Sequence, residues 1–321
     1  MNHLHFKSLT ASVFDLSRAQ IDKLVKGLAV RRSQIDSSQA LSIHDPKACP
    51  HCGHAGLSRF GIRHNMQRFR CKSKSCLKTC CATTGTPLNR LSHKAKLASY
   101  AECMINGDSL RKTASKMGFT LDRAFRWRHR MLTLPVSHQP KAIVGLLEVD
   151  ETYFKISRKG AHHLDRPARK HGGRIKGKGR YSKDFVPVLV GRARGQGFTV
   201  DKVLKDMTKE QIAGALVGSV DPAKTILCSD RHKSYLQMPD MLGVVCHFFV
   251  TDKPKPEDFH VQNVNNYHER LKTWINSGLR GVATKYLPHY LAWQRLKTWK
   301  AEPMRSIDLI GSALGVQIIN L

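Results

Sequence analysis

The chain has 321 residues and carries 54 Lys and Arg against 24 Asp and Glu, a formal net charge of +30. The length allows two or three domains with ordinary cores, and the 41% hydrophobic content excludes a merely basic, disordered tail. The charge points to a polyanionic partner without saying which.

Residues 1–45 hold one amphipathic helix, from about Leu16 to Val30, with Leu16, Ile21, Leu24, Val25 and Leu28 near helical spacing. The opening MNHLHFKSLTASVFDLSRAQ lacks the basic-then-apolar order of a signal peptide. A cytoplasmic setting is therefore expected, where thiols stay reduced and nine cysteines ask for a metal or for burial rather than for disulfides.

Residues 46–90 are rich in cysteine and turn formers. Cys49-Pro-His-Cys52 is followed, eighteen residues on, by Cys71-Lys-Ser-Lys-Ser-Cys76. Two cysteine pairs on two turns can present four thiolates to one tetrahedral Zn2+, and a short segment with little apolar core needs such a staple. Cys49, Cys52, Cys71 and Cys76 are the expected zinc ligands. The second knuckle is wide, and Cys80 could replace Cys76.

Residues 91–138 read as a helix-turn-helix. Asp108 can cap a helix over Ser109–Met117, Gly118 can end it in left-handed geometry, and Thr120 can cap a second helix over Leu121–Leu132. That second helix carries Arg123, Arg126, Arg128 and Arg130 beside Phe125, Trp127 and Met131. A short glycine turn leading into an arginine-rich helix is the outline of a DNA-reading element.

From residue 141 to 300, short β-branched runs alternate with helical segments. Strands are expected at Gly145–Phe154, Phe185–Arg192, Gly197–Val203, Thr225–Ser229 and Gly243–Phe249. Helices are expected at Lys209–Val220, Lys233–Met238 and about Val261–Ser277. Three strands followed by alternating helix and strand is the order of an RNase H-like α/β domain with a mixed sheet. Between its first two strands lies a basic insertion, 155–184, with eleven Lys or Arg and two Asp. Its Gly-Gly-Arg-Ile-Lys-Gly-Lys-Gly-Arg run, with Arg174, Lys176, Lys178 and Arg180, suits a phosphate-gripping loop.

In so basic a chain, acids that close apolar strands stand out. Asp150 ends Leu-Leu-Glu-Val-Asp, and Asp230 ends Thr-Ile-Leu-Cys-Ser-Asp. Carboxylates at two strand ends can converge on Mg2+, or on Mn2+, and a metal pair there could act on a phosphodiester. On the following helix, Asn265, Glu269 and Lys272 stand at i, i+4 and i+7, so one face offers an oxygen ligand and an ammonium. The tail, 301–321, has an apolar stretch from Leu309 that is too short to span a bilayer and reads as a terminal packing element.

Seven motifs occur in order: Cys-Pro-x-Cys, Arg-Phe-Arg-Cys, Thr84–Leu88 (TGTPL), Arg126-Trp127-Arg128, Val-Asp-Glu-Thr-Tyr at 149–153, Ser229-Asp230, and Val-Asn-Asn-Tyr-His-x-Arg-Leu-Lys at 264–272. Over residues 46–297 this pattern resembles bacterial insertion-sequence transposases with an amino-terminal zinc ribbon and an ISXO-type catalytic domain. The resemblance implies a DDE triad, or its variant with asparagine third, followed by lysine: here Asp150, Asp230, Asn265 and Lys272. It also implies cleavage and strand transfer of double-stranded DNA at inverted repeats, acting on element ends and target as a homo-oligomer on the DNA, with no membrane partner. A transposase-derived DNA-binding regulator and a structure-specific nuclease are the competing readings.

Overall fold

The computed structural model describes residues 3–63, 66–164, 184–244, 246–250, 259–299 and 303–316. Contacts divide them into two compact units, one of residues 1–121 with 305–316 and one of residues 122–304.

In the first unit, helix α1 (His3–Ser12) precedes α2 (Arg18–Ser42), which starts at a capping box between Ser17 and Gln20. The helix is longer than its periodicity implies. Ile21, Leu24, Val25 and Leu28, the expected core stripe, are exposed, and the buried face lies further on at Ser33, Ser37, Ala40 and Leu41. The reason is polar. The hydroxyls of Ser37 and Ser33 accept the N–H groups of Ala98 and Ser99, at 2.9 and 3.3 Å, and so cap the free amides of α3 (Leu97–Ile105). Between α2 and α3, strands β1 (Leu57–Arg63), β2 (Met66–Cys71) and β3 (Thr79–Cys80) form an antiparallel sheet.

Helix α4 (Leu110–Met117) is capped by Ser109, whose hydroxyl accepts from the Lys112 N–H, and not by Asp108. The Asp108 carboxylate is buried and paired at 2.7 Å with both Lys112 and Lys116. Gly118 ends α4 at φ +63°, where a Cβ would be strained. Helix α5 (Leu121–Leu132) follows, and the boundary between the two units falls at its start.

The second unit is built on a five-stranded sheet. Strands β4 (Ile143–Lys155), β5 (Phe185–Ala193) and β6 (Thr199–Val203) are antiparallel neighbours. Helix α6 (Lys209–Leu216) leads to β7 (Val220–Ser229), and α7 (Met238–Leu242) to β8 (Cys246–Phe249), both strands parallel to β4. The order is β6-β5-β4-β7-β8. Alternation along β4 and β5 splits the core. Leu147, Val149 and Leu189 pack with Leu216, Tyr235 and Met238 on one face. Phe154, Val188 and Val190 pack on the other with α8 (Gln262–Thr273) and α9 (Leu287–Thr298), through Val264, Tyr267, Leu271 and Leu291.

A buried pair ties the second face. Arg295 on α9 donates to Asp201 on β6 and to the Pro135 carbonyl, and Tyr267 donates to the same carboxylate. Both charges are removed from water, so each needs the other. The last helix, α10 (Ser306–Ala313), packs against α2 and α3 in the first unit, with Leu309, Ile310 and Ala313 buried. It is the packing element expected near Leu309, placed a few residues earlier.

Candidate active site and zinc centre

The four cysteines Cys49, Cys52, Cys71 and Cys76 place their sulfurs within 4.8 Å of one another. Cys49 and Cys76 are 3.8 Å apart, and Cys52 and Cys71 are 3.6 Å apart. Four thiolates around one zinc, each at ~2.3 Å, stand ~3.8 Å from each other, so the donor set fits this metal. Two turns make the knuckles. Gly53 bonds back to the Cys49 carbonyl at φ +77°, and Cys76 and Leu77 both bond back to Ser73. The wide second spacing is absorbed in that turn, with Leu77 in left-handed geometry. Cys80, the alternative ligand, is outside the cluster, and burial pushes its thiol up to about 11.

The second candidate centre lies at the ends of β4 and β7. The parallel register pairs Glu148 with Cys228. Continued by two residues, it sets Asp230 beside Asp150 on strands ~4.8 Å apart. The Asp230 carboxylate accepts the His232 N–H at 3.0 Å. Burial, then the negative charges of Glu151 and Asp230, push the Asp150 carboxyl up to about 7, and Lys272 pulls the other way. Glu151 is raised too, by burial and by Asp230, although the Tyr235 hydroxyl donates to it at 2.9 Å. Crowded, half-desolvated carboxylates of this kind gain from a divalent cation with oxygen preference, and the chemistry of the donors fits Mg2+ or Mn2+.

Helix α8 closes the other side. His268 is buried, and its Nδ1 lies 3.8 Å from Asp150 Oδ2. Burial, then the Lys272 charge, hold its pKa at about 4, so the contact is not an ion pair at neutral pH. Lys272 follows one turn later. Asn265 and Glu269 are exposed on the same helix, and Glu269 reaches Lys272 at 4.0 Å.

Glu148 holds that helix in place, and sequence reasoning overlooked it. Its carboxylate is wholly buried. It accepts the N–H of Asn263 at 2.9 Å and of Val264 at 3.4 Å, the Asn263 side-chain amide at 2.6 Å, and Arg194 at 2.8 and 3.0 Å. A carboxylate at a helix N-terminus satisfies its open amides and opposes its dipole. Since Glu148 precedes Asp150 by two residues on β4, one strand positions both the first carboxylate and the helix facing it. Nothing local announces this, because its partners lie far along the chain. An acid two residues before Asp150, on the same face of the strand, was the one available signal.

The arginines expected to read DNA fare unequally. Arg128 is buried with its guanidinium 4.9 Å over the Trp293 ring, and so is removed from any open surface. Packing wins over charge here because Arg128 stands on the apolar side of α5, next to Trp127. Arg126 is exposed and paired with Asp122, one turn earlier. Arg123 and Arg130 are half-buried. Arg174, Lys176, Lys178 and Arg180 lie outside the described residues. Among the described residues, no helix is long and apolar enough to cross a membrane.

A mixed sheet in this order, with acids closing adjacent central strands and a helix packed beside them, defines an RNase H-like domain. More particularly, residues 142–295 match the family of ISXO2-like transposase domains. The resemblance to insertion-sequence transposases of the ISXO type therefore holds. An uncharacterized protein in transposable element ISH50 of Halobacterium salinarum is 27% identical over 248 residues, 76% of this chain and 82% of that protein. Among solved structures, the catalytic core domain of BIV integrase aligns over 49% of this chain and 86% of its own, at 15% identity and a TM-score of 0.31. The fold assignment rests on strand order and not on that alignment.

Proposed function

We propose that the chain is an active transposase that binds the inverted-repeat ends of its element and cuts and joins DNA with a divalent metal. The observation that carries this reading is the pairing of Asp150 with Asp230 at adjacent strand ends, inside a transposase domain, with the Asp150 carboxyl lifted to about 7 by its surroundings. A divalent ion bound there would supply Lewis-acid activation of the attacking oxygen and stabilise the leaving one. Asp150 and Asp230 hold it, with Asn265 as third ligand and Glu269 as the alternative. Lys272, half-buried on the same face, holds a phosphate. His268 packs beside the Asp150 carboxylate from the α8 side, and Glu148 keeps α8 in register with β4. The four clustered cysteines hold zinc, and Arg123, Arg126 and Arg130 contact the DNA ends.

Strand-transfer assays in Mg2+ and Mn2+ test the assignment. Asp150→Ala and Asp230→Ala abolish cleavage and joining and leave end binding intact, each removing a charged ligand. Asn265→Ala lowers activity severely, Asn265→Asp retains part of it, and Glu269→Gln is mild. A dead Glu269→Gln beside a healthy Asn265→Ala moves the third ligand to Glu269. Wild-type binding without chemistry would make the protein a DNA-binding regulator, and cutting without joining would make it a nuclease.

A further inference from the structure

A groove opens past Lys272, along the last residues of β4. Its volume is about 650 Å3, within the ~300–1,000 Å3 of pockets that enclose a small ligand. Tyr153, Phe185 and Leu287 give it aromatic and apolar surface, and Lys155, Arg158 and Lys272 give it cations. No Asp or Glu is among its described lining residues. Lys155 and Phe185 are cross-strand partners in the β4–β5 ladder, so an exposed ammonium stands beside a half-buried ring.

The far wall is fixed by hydrogen bonds. The Lys159 ammonium donates to the carbonyls of Leu279, Arg280 and Gly281 at 3.1, 3.1 and 2.8 Å. Ser157 and Thr284 exchange two more: the Ser157 N–H donates to the Thr284 hydroxyl at 2.8 Å, and the Thr284 N–H to the Ser157 carbonyl at 2.9 Å. The Lys159 ammonium is thereby held by backbone carbonyls, and the side chains of Lys155 and Arg158 are exposed at the rim.

Lys272 belongs to both places. It lines the groove, and its charge acts on Asp150. Lys155, with its partner Phe185, follows Asp150 by five residues, ~17 Å along an extended strand, which is about five nucleotide steps at ~3.4 Å each. A duplex keeps its bases inside and would show this wall only phosphates, for which an aromatic, apolar lining has no use. An unstacked nucleotide offers a π face together with a phosphate, and such a lining with a cationic rim suits both.

We propose that this groove holds one unpaired nucleotide of the DNA strand entering the active site, its base against Phe185 and its phosphate on Lys155 and Arg158, about five steps from the reacting phosphate. The inference rests on the transposase reading and adds a place and a strand state to it.

The test compares two DNAs on the full chain in Ca2+: a blunt duplex, and the same duplex with a single-stranded extension of about five nucleotides, placed on either strand. The readout is the ratio of the two affinities, from fluorescence anisotropy, together with quenching of 2-aminopurine in the extension. The expected result is binding about tenfold tighter with the extension on one strand, as for one base stacked on an aromatic ring. Phe185→Ala removes that gain, and Phe185→Trp keeps it. Lys155→Ala, at an exposed position where folding is not at stake, reduces it several-fold. Equal affinity for the two DNAs in the wild type, or a gain that survives both Phe185→Ala and Lys155→Ala, overturns the proposal. A chain that binds neither DNA overturns the transposase reading with it, whereas one that binds both alike overturns the groove alone.

Discussion

The cysteine cluster and the carboxylate cluster, the two proposed metal sites, are built in opposite ways. The sulfurs come from two turns of one short segment and already stand at tetrahedral spacing. The carboxylates come from strands eighty positions apart in the chain, and burial, then the neighbouring negative charges, raise one of them to about 7. The first arrangement is closed and local, and metal bound there would be part of folding. The second is left electrostatically incomplete by the fold, which is the state of a site whose partner arrives later. Beside it, Glu148 shows what a finished buried carboxylate looks like, with Arg194, Asn263 and Val264 satisfying it from several directions.

The largest effect should come from the cysteines. Cys49→Ser or Cys71→Ser releases bound zinc and unfolds residues 46–90, since structural zinc in small finger peptides is worth about 10–16 kcal/mol near neutral pH. Metal analysis and limited proteolysis read this out, and a purified wild-type chain without zinc would break the comparison at its first term.

Next comes the finished carboxylate. Glu148→Ala strips the open amides of α8 and half of a buried ion pair, at a cost of about 3–5 kcal/mol in urea unfolding of the catalytic unit. Because Arg194 keeps some exposure, at 28% of its side chain, the lower end of that range is expected. A loss under about 0.5 kcal/mol, the size of an ordinary surface substitution, would show that α8 is positioned by its apolar face alone.

The smallest effect has the opposite sign. A carboxyl whose pKa is raised on folding opposes folding once pH exceeds its unfolded value, and fully so above the folded value. Asp150→Asn should therefore stabilise the metal-free chain, by about 1–2 kcal/mol after allowance for partial solvent contact. The gain is complete above about pH 7 and gone below about pH 4. Thermal melts at pH 8 and pH 4 in a chelator check it. If the substitution destabilises at pH 8, Asp150 is structurally satisfied and the contrast with the cysteines collapses.

Much of this was legible in the sequence where the signal is local. The strands of the catalytic unit are periodic and bounded by turn residues, and the observed strands lie within three residues of their expected spans, except β7, which starts at Val220, where the expected helix ended, and not at Thr225. Cysteine spacing announced the cluster, and acids at the close of apolar runs announced Asp150 and Asp230. Helix α9 left no such mark. Tyr290, Leu291, Ala292, Trp293, Arg295 and Leu296 are buried all round it, so no amphipathic period was there to read. The exposed stripe of α2 misled for the converse reason. Its periodicity is genuine, but the face that packs is fixed by Ser33 and Ser37 finding the amides of α3, a long-range event. Arg128 and Glu148 belong to the same class. Each carries a charge whose fate was decided by partners far away in the chain, Trp293 for one and Asn263 for the other.

The return of α10 has a consequence in time. Leu309, Ile310 and Ala313 complete a core whose other residues precede Leu121, so the 183 residues from Asp122 to Met304 are synthesised between its two parts. At about 5–20 residues per second, that is an interval of roughly 10–40 s. By the end of this interval the catalytic sheet has all its strands, while α2 and α3 still lack the helix that covers them. The unit that comes first in the chain is thus the last to be finished.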